Sequence, residues 1–389
     1  MNPEPAFTLG IEEEYLLVDC GSRELVRDPP AELLAECERL LGNRVSPEFL
    51  RSQIEVQTGI CASAAQARAE LVELRRTVAD VASRYGMAPI AAGTHPVASH
   101  TTQQHTDHER YIALHEDLQG VARRLVICGM HVHVGIEEPE LKIDLMNQVG
   151  YFLPHLLALS TSSPFWQGED TGLKSYRISV FDEMPRTGIP ERFESWGEYT
   201  RHIGTLVKLG IINDSSKLWW DIRPSSRFPT LEMRIADVCT WLDDGLTIAC
   251  LFRCLLRMLW RLRVANQRWR TYLKMLIDEN RWRAQRYGTD AGLVDFGRAE
   301  LVPYPRLLDE MLALVREDGE HFGCFAELQH ARTILARGTS AHNQREVYQA
   351  ALAETRDPKA ALDAVIDWLI RATVEFDVPS SGASAAAAP

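Results

Sequence analysis

Carboxylates and imidazoles recur two residues apart on short apolar stretches of this chain. Glu12 and Glu14 lie in TLGIEEEYLLV, Glu55 lies in RSQIEVQT, and His131 and His133 lie in GMHVHVGI. Residues two apart in a strand point to the same face, so each pair would project together from one sheet. Carboxylates gathered on one face repel each other and resist desolvation unless cations are present. Hard divalent metals with oxygen ligands, above all Mg²⁺ or Mn²⁺, are the expected cations.

A further stretch combines a carboxylate with guanidinium groups. PTLEMRIAD places Glu232 two residues before Arg234, and the nearby RPS adds Arg223. Arginine binds phosphate and carboxylate oxygens through its planar fork, so arginines beside metal-binding acids suit a nucleoside triphosphate. Arg177 and Arg186 are further candidates for phosphate or carboxylate binding, although each could instead have a purely structural role. Glu232 could likewise form a plain salt bridge. The sequence has no GxxxxGK[ST] or GxGxxG motif, so we expect metals and arginines to hold the phosphates.

Residues next to these candidates complete the predicted face. Glu13 should point to the opposite side of its strand and pair with an arginine. Glu55 shares its face with Gln53 and Gln57, while Glu48 joins the cluster only if the chain bends between Glu48 and Glu55. The two histidines could also suggest zinc, yet no cysteine or third histidine occupies a convincing ligand position. A mixed carboxylate and imidazole site is the better interpretation.

The composition favours an ordinary globular enzyme. The chain has 389 residues with 54 acidic and 42 basic side chains, a net charge of −12 that disfavours a general nucleic-acid binder. None of the eight cysteines forms a CxxC pair, and Cys250 and Cys254 are interpreted as small packed residues. The start MNPEPAFTLG lacks the pattern of a signal peptide, and the most apolar helix, Thr247–Trp260, is too short to span a bilayer. We therefore expect a cytoplasmic protein.

Strand patterns precede a helical block, which predicts an α+β protein with a largely antiparallel sheet. The sheet would present a concave active-site face and be covered by helices. We expect one domain over residues 1–378, strand-rich at 7–240 and helical at 241–378, followed by a disordered tail at 379–389. Predicted strands are Phe7–Val18, Arg51–Gly59, Ala88–Gly93, Arg124–Ile136, Tyr176–Phe181 and the pair LWWDIRPS and TLEMRIAD; predicted helices are Ala31–Leu41, Ala64–Tyr85, Leu141–Ser160 and Ser195–Leu209.

Taken together, these motifs carry a specific resemblance. GIEEEY, the Gln-Ile-Glu strand, GMHVHVG, PRTGIP and WWDIRPS…PTLEMRIAD resemble, in order, the signatures of the glutamate–cysteine ligase type 2 family of bacterial carboxylate–amine ligases. They span about Leu9 to Asp237. The family is similar to glutamine synthetase and guanido kinases in its catalytic sheet. The resemblance implies ATP-dependent ligation with Mg²⁺ or Mn²⁺ between sheet and phosphates, and suggests a homodimer without membrane or nucleic-acid partners.

The resemblance also implies roles for individual residues. Arg234 and Arg177 match positions expected to touch the transferred phosphate, and Glu48 falls where an acidic residue is expected. We assign Arg223 to catalysis as well, His133, Arg234 and Arg223 to nucleotide binding, and Gln53, Arg186 and Glu48 to substrate binding. The positions that match the family's metal ligands are Glu12, Glu14, Glu55, His131 and Glu232.

The implied reaction joins the γ-carboxylate of glutamate to the amine of cysteine or a related amine. ATP would first convert the carboxylate to a γ-glutamyl phosphate, which the amine then attacks, releasing phosphate. Three alternatives stay open: a kinase or a ligase for another amine on the same fold, a binding protein that retains only the sheet, and a zinc hydrolase. The physiological acceptor cannot be read from the residues.

Overall fold

A computed structural model describes residues 3–107 and 117–376 of the chain. The strands in chain order are β1 Leu9–Asp19, β2 Val45–Pro47, β3 Gln53–Gln57, β4 Met87–Ile90, β5 Met130–Gly135, β6 Phe165–Trp166, β7 Glu169–Asp170, β8 Thr187–Gly188, β9 Trp219–Trp220, β10 Ile222–Pro224, β11 Thr230–Met233, β12 Leu293–Asp295 and β13 Glu300–Val302. Seven of them form one antiparallel sheet in the order β10-β11-β5-β1-β3-β2, with β4 paired to the end of β1. The predicted α+β class with a largely antiparallel sheet is confirmed.

Helices make up most of the remaining chain. The α-helices are Ala31–Leu41, Ala64–Ser83, Gly120–Arg123, Pro139–Val149, Leu153–Ser160, Tyr176–Phe181, Trp196–Lys208, Leu242–Val264, Lys274–Tyr287, Tyr304–Leu314, Arg316–Phe322, Phe325–Arg337, Ser340–Thr355 and Pro358–Thr373. Short 3₁₀ turns lie at Gly42–Arg44, His100–Thr102, Gly150–Phe152 and Ser215–Lys217. No helix among the described residues has the length and apolar character needed to cross a membrane.

The central strand β1 has two different faces because its side chains alternate. Ile11, Glu13 and Tyr15 are fully buried on the side covered by the helices Ala64–Ser83 and Leu242–Val264. There Glu13 forms a salt bridge of 2.7 Å with Arg75, and the side chains of both residues are fully buried. The prediction that Glu13 pairs with an arginine on the opposite face is confirmed. Glu12 and Glu14 project from the other face.

Two predicted strands need correction. Tyr176–Phe181 is a helix, although its aromatic and β-branched residues favour a strand. Tertiary contacts stabilise the helix: the Arg177 backbone N–H donates to Ser163 Oγ at 3.0 Å, and Nη2 of Arg177 donates to the Arg234 carbonyl at 3.2 Å. The predicted histidine strand Arg124–Ile136 is too long, because only Met130–Gly135 is extended within the main sheet.

The other predicted elements agree with the structure to within a few residues. The helix predicted at Leu141–Ser160 is two helices joined by a 3₁₀ turn at Gly150–Phe152. The helical part after residue 241 also contains the small hairpin of β12 and β13. The predicted tail at 379–389 lies outside the described residues, and so does the predicted end of the domain at residue 378.

Candidate active site

The register of the sheet places the predicted residues next to one another. Across β1, Glu12 lies opposite His131 of β5, and Glu14 lies opposite Glu55 of β3. His133 lies opposite Glu232 of β11. Directly opposite residues of antiparallel strands share a face, with Cβ atoms about 4.5–5.5 Å apart. Segments more than two hundred residues apart in the sequence therefore form one polar band across the sheet.

Two groups within this band have ligand atoms close enough to share a cation. Glu12, Glu55 and His131 form one group, and Glu14, Glu48 and Glu55 form the other; the candidate ligand atoms in each group all lie within 4.8 Å of one another. Glu55 belongs to both groups. Glu48, predicted as a substrate contact, thus lies with the carboxylates, because the chain turns between β2 and β3.

The imidazole of His131 is oriented as a ligand should be. Its Nδ1 hydrogen-bonds to Glu12 Oε2 at 3.0 Å, while its Nε2 is buried without a hydrogen-bond partner, 3.6 Å from Glu14 Oε1. A histidine that donates one N–H to a carboxylate keeps the lone pair of the other nitrogen for a metal. Burial, together with the nearby charge of Arg234, lowers the pKa of His131 to about 4, so the ring is neutral at pH 7.

The carboxylates of the second group carry charge that needs compensation. Burial and the neighbouring Glu48 raise the pKa of Glu14 to about 7. Burial, followed by the charges of Glu48, Glu12 and Glu14, raises the pKa of Glu55 well above its usual range. Glu12 differs: burial opposes ionisation, but hydrogen bonds from both imidazoles hold its pKa well below the usual range. The donor set and its uncompensated charge fit hard divalent cations such as Mg²⁺ or Mn²⁺.

Glu232 lies outside both of these groups. Arg223 lies opposite Glu232 across β10 and β11, and its Nε and Nη2 each donate a hydrogen bond of 3.0 Å to the Glu232 carboxylate. Arg234 also contacts this carboxylate. The charges of these two arginines outweigh burial and lower the pKa of Glu232. The guanidinium of Arg223 is further held by the carbonyls of Ser216 and Leu218 at 2.9 and 2.8 Å. Glu232 is thus an ionised carboxylate whose contacts place Arg234 beside His131.

Arg177 is held against the backbone at the start of β5. Its Nη2 donates to the Arg234 carbonyl at 3.2 Å, and its Nε is buried without a hydrogen-bond partner. A Cβ at Gly129 would lie 2.3 Å from Nη2 of Arg177, so only glycine leaves room for this guanidinium. Arg234 also has a buried Nε without a partner. Each of these two arginines therefore has a buried donor that no residue among those described satisfies.

Residues of the polar band line two cavities of unequal size. The larger, about 1340 Å³, is lined on the sheet side by Glu12 and His133 and at its rim by Ile60 and Phe228. The smaller, about 100 Å³, is lined by polar residues of the band and by an apolar wall. The polar lining consists of Glu14, Glu48, Gln53, His131, Arg177, Lys217 and Arg234; the rest is Phe49, Leu125, Ile127, Phe181, Met184 and Trp219.

The other predicted contacts have mixed surroundings. His133 lines the large cavity, where its Nδ1 hydrogen-bonds to Thr230 at 2.9 Å and its Nε2 lies 3.3 Å from Glu12. Gln53 lines the small cavity, yet its amide already donates to the Ile127 carbonyl at 2.6 Å and accepts from the Leu50 N–H at 3.2 Å. Arg186 lies beside Trp219 and outside the lining itself.

Comparison with known proteins identifies the family of the chain. The family model described as Glutamate-cysteine ligase family 2 (GCS2) matches residues 8–360. The chain belongs to this family. A protein of Rhodospirillum rubrum named "Putative glutamate--cysteine ligase 2" is 63% identical, with the match covering 95% of this chain and 96% of that protein. A Jannaschia protein of the same name is 54% identical, covering 94% and 96% of the two chains.

Solved structures confirm the fold at low sequence identity. The glutamate–cysteine ligase of Francisella tularensis, crystallised with AMP, has a TM-score of 0.68 at 13% identity and covers 96% of this chain and 90% of that one. The bifunctional glutathione synthetase of Pasteurella multocida has a TM-score of 0.67 at 15% identity, covering 94% of this chain and 52% of that one. Membership of glutamate–cysteine ligase family 2 supports ATP-dependent carboxylate–amine ligation.

Sequence reasoning missed several residues that shape this family member's site. Ser46 donates to Glu55 at 3.2 Å, and Thr230 orients His133. Neither residue lies in a pattern that distinguishes it from an ordinary strand residue. Gly129, directly before the histidine strand, was a visible signal, because a glycine at a strand end often marks a close approach. Apart from Trp219 of the WWDIRPS motif, the apolar wall of the small cavity comes from segments outside the quoted motifs.

Proposed function

We infer that this protein ligates the γ-carboxylate of L-glutamate to the amine of L-cysteine or a related amine, at the expense of ATP. One observation carries the proposal: two carboxylate-rich groups, sharing Glu55, lie between a large and a small cavity. Cations held there would contact a triphosphate on one side and a carboxylate on the other. The family relationship supports the same reaction class.

The two cavities suggest which substrate goes where. ATP needs the larger cavity, of about 1340 Å³, because small-molecule sites that enclose a ligand of this size typically measure roughly 300–1,000 Å³. The small cavity, of about 100 Å³, suits an amino acid and contains Arg177 and Arg234. Glutamate would then present its γ-carboxylate to the band that carries Glu14 and His131.

Activation of the carboxylate is the chemical problem, because an amine cannot displace oxide from it. Attack of the γ-carboxylate on the terminal phosphate of ATP would release ADP and give an acyl phosphate with a good leaving group. Bound Mg²⁺ or Mn²⁺ would neutralise phosphate charge and polarise the transferred group. Glu12, Glu14, Glu48, Glu55 and His131 are the residues that fit these ions.

The arginines would act on the moving group. Arg234 lies next to His131, with its free Nε available to charge that develops on the phosphoryl oxygens. Glu232 positions Arg234, and Arg223 in turn fixes Glu232. Arg177 would hold the donor carboxylate in line with the phosphate, and fixed alignment of this kind supplies much of a rate enhancement. Attack by the amine then forms the amide and releases phosphate.

An isotope experiment tests both the reaction and the intermediate. Glutamate labelled with oxygen-18 in the γ-carboxylate is incubated with enzyme, ATP, Mg²⁺ or Mn²⁺ and a panel of amines. Because the acyl phosphate carries a carboxylate oxygen away, each phosphate released should contain one labelled oxygen, and mass spectrometry should detect a γ-glutamyl amide. Unlabelled phosphate would exclude the acyl phosphate, and a stable phosphorylated product would indicate a kinase.

A further inference from the structure

Arg186 lies beside the small cavity and has an unusual backbone conformation. It has a φ of +61°, a strained left-handed conformation that a non-glycine residue keeps only where surrounding contacts impose it. The next two residues, Thr187 and Gly188, pair in parallel with Trp219 and Trp220. This short pairing fixes the loop that carries Arg186 against the wall of the cavity.

The side chain of Arg186 is oriented by two contacts to residues that line this cavity. Its Nε donates to the Lys217 carbonyl at 3.0 Å, and its Cζ lies 5.3 Å from the centre of the Trp219 ring. Lys217 and Trp219 both line the small cavity. The guanidinium is therefore held over the indole, with its position set by a cation–π contact and a hydrogen bond.

This guanidinium has no ion-pair partner within the described ranges 3–107 and 117–376. Most arginines in this protein contact a carboxylate within 4 Å, as Arg192 of the same loop does with Glu194 at 3.1 Å. Asp117 contributes only a longer-range electrostatic attraction to the Arg186 guanidinium, because the two residues form no salt bridge. The terminal nitrogens Nη1 and Nη2, which can bind a carboxylate in bidentate fashion, have no hydrogen-bond partner in the described part of the chain.

The proposed reaction brings three carboxylates toward this region if the acceptor is an amino acid. Glutamate contributes two, and Arg177 and Lys217 are the cations lining the cavity that the proposed mechanism does not assign to the phosphoryl group. The third carboxylate, that of the acceptor, is two bonds from the attacking nitrogen. Arg186 presents an oriented guanidinium just outside the lining of this cavity, beside Trp219, where such a carboxylate can lie.

We propose that Arg186, stacked on Trp219, binds the carboxylate of the amine acceptor, so that the enzyme uses α-amino acids in preference to simple amines. This inference rests on the proposed ligase function and specifies its acceptor class. A bidentate, charge-assisted contact accounts for the preference, since a hydrogen bond to a charged group is among the stronger ones in proteins.

Cysteine and cysteamine provide the test, because they differ only in the carboxylate. ADP release is measured with ATP, glutamate and Mn²⁺ for the wild type, Arg186→Gln and the matched control Arg192→Gln. We expect wild-type kcat/KM to be about 10- to 100-fold higher for cysteine than for cysteamine. Arg186→Gln should reduce the cysteine value to the cysteamine value, with KM for glutamate and ATP unchanged. Arg192→Gln should behave as wild type.

Other results would overturn the inference. Equal use of both amines by the wild type would exclude acceptor-carboxylate recognition, and an equal loss for both amines in Arg186→Gln would indicate a structural role. A rise in KM for glutamate would assign Arg186 to the donor instead. If the wild type releases no ADP with any amine, the ligase function itself fails; calorimetric titration of cysteine and cysteamine into both proteins then still tests the carboxylate site.

Discussion

Glu55 is the residue whose replacement best separates metal binding from folding. It belongs to both candidate cation-binding groups, and its one described hydrogen bond is with Ser46. Glu55→Gln should lower kcat by about 10²–10³-fold, as expected for the loss of a preorganised electrostatic contact. The Tm without metal should not fall, because the substitution removes repulsion among buried carboxylates. Near-normal turnover, or unfolding of the variant, would contradict this assignment.

The pKa of Glu14 predicts how metal binding depends on pH. Its pKa of about 7, against 4.5 for an ordinary glutamate, means that the folded protein binds this proton more tightly than the unfolded chain. This stabilisation is complete below the ordinary value and is lost as the pH rises through about 7. Because a metal must displace the proton, the rise in Tm on adding Mn²⁺ should be larger at about pH 8 than at about pH 5.5. A pH-independent rise would contradict the prediction.

Gly129 illustrates how an element boundary positions the side chain of Arg177, for which we propose a role in holding the donor carboxylate. The strand β5 begins at the next residue, and the Arg177 guanidinium occupies the space where a Cβ would be. Gly129→Ala should displace Arg177 and lower kcat by about 100-fold, since misplacement by 1 Å can cost this much. Gly120→Ala is a matched control, because the atom nearest to its added Cβ is the mobile end of Arg123 at 3.6 Å. Equal kinetics for the two variants would contradict the role of Gly129.

Strand alternation was enough to predict the central part of the site. The spacing of two in GIEEEY and GMHVHVG placed Glu12, Glu14, His131 and His133 on one face and Glu13 on the other, as observed. Alternation does not determine which strands are neighbours. The sequence therefore could not show that Arg223 lies opposite Glu232 and binds its carboxylate in bidentate fashion. Tyr176–Phe181 was mispredicted because contacts to distant residues outweigh local strand propensity.

At the scale of the whole molecule, the buried pair Glu13–Arg75 connects the sheet to both ends of the helical region. Arg75 also donates to the carbonyls of Thr240 and Thr373, at 2.7 and 3.2 Å. Glu13→Gln leaves a buried guanidinium without a counter-charge and should lower the free energy of unfolding by about 3–5 kcal/mol. Denaturant titration measures this. The metal dependence of the remaining folded enzyme should be unchanged, and a changed dependence would place Glu13 in the site after all.

The lining of the large cavity has a consequence for which form of nucleotide can enter. Its acidic side chains, Glu4, Glu12, Glu137 and Glu138, outnumber its two arginines, Arg44 and Arg263, and the protein as a whole carries a net charge of −12. An unchelated triphosphate would meet a repulsive field along its path of entry. If ATP binds in this cavity, as proposed, the acidic lining favours the nucleotide chelated by a divalent cation, and the concentration of that cation would control how much of the cavity is occupied.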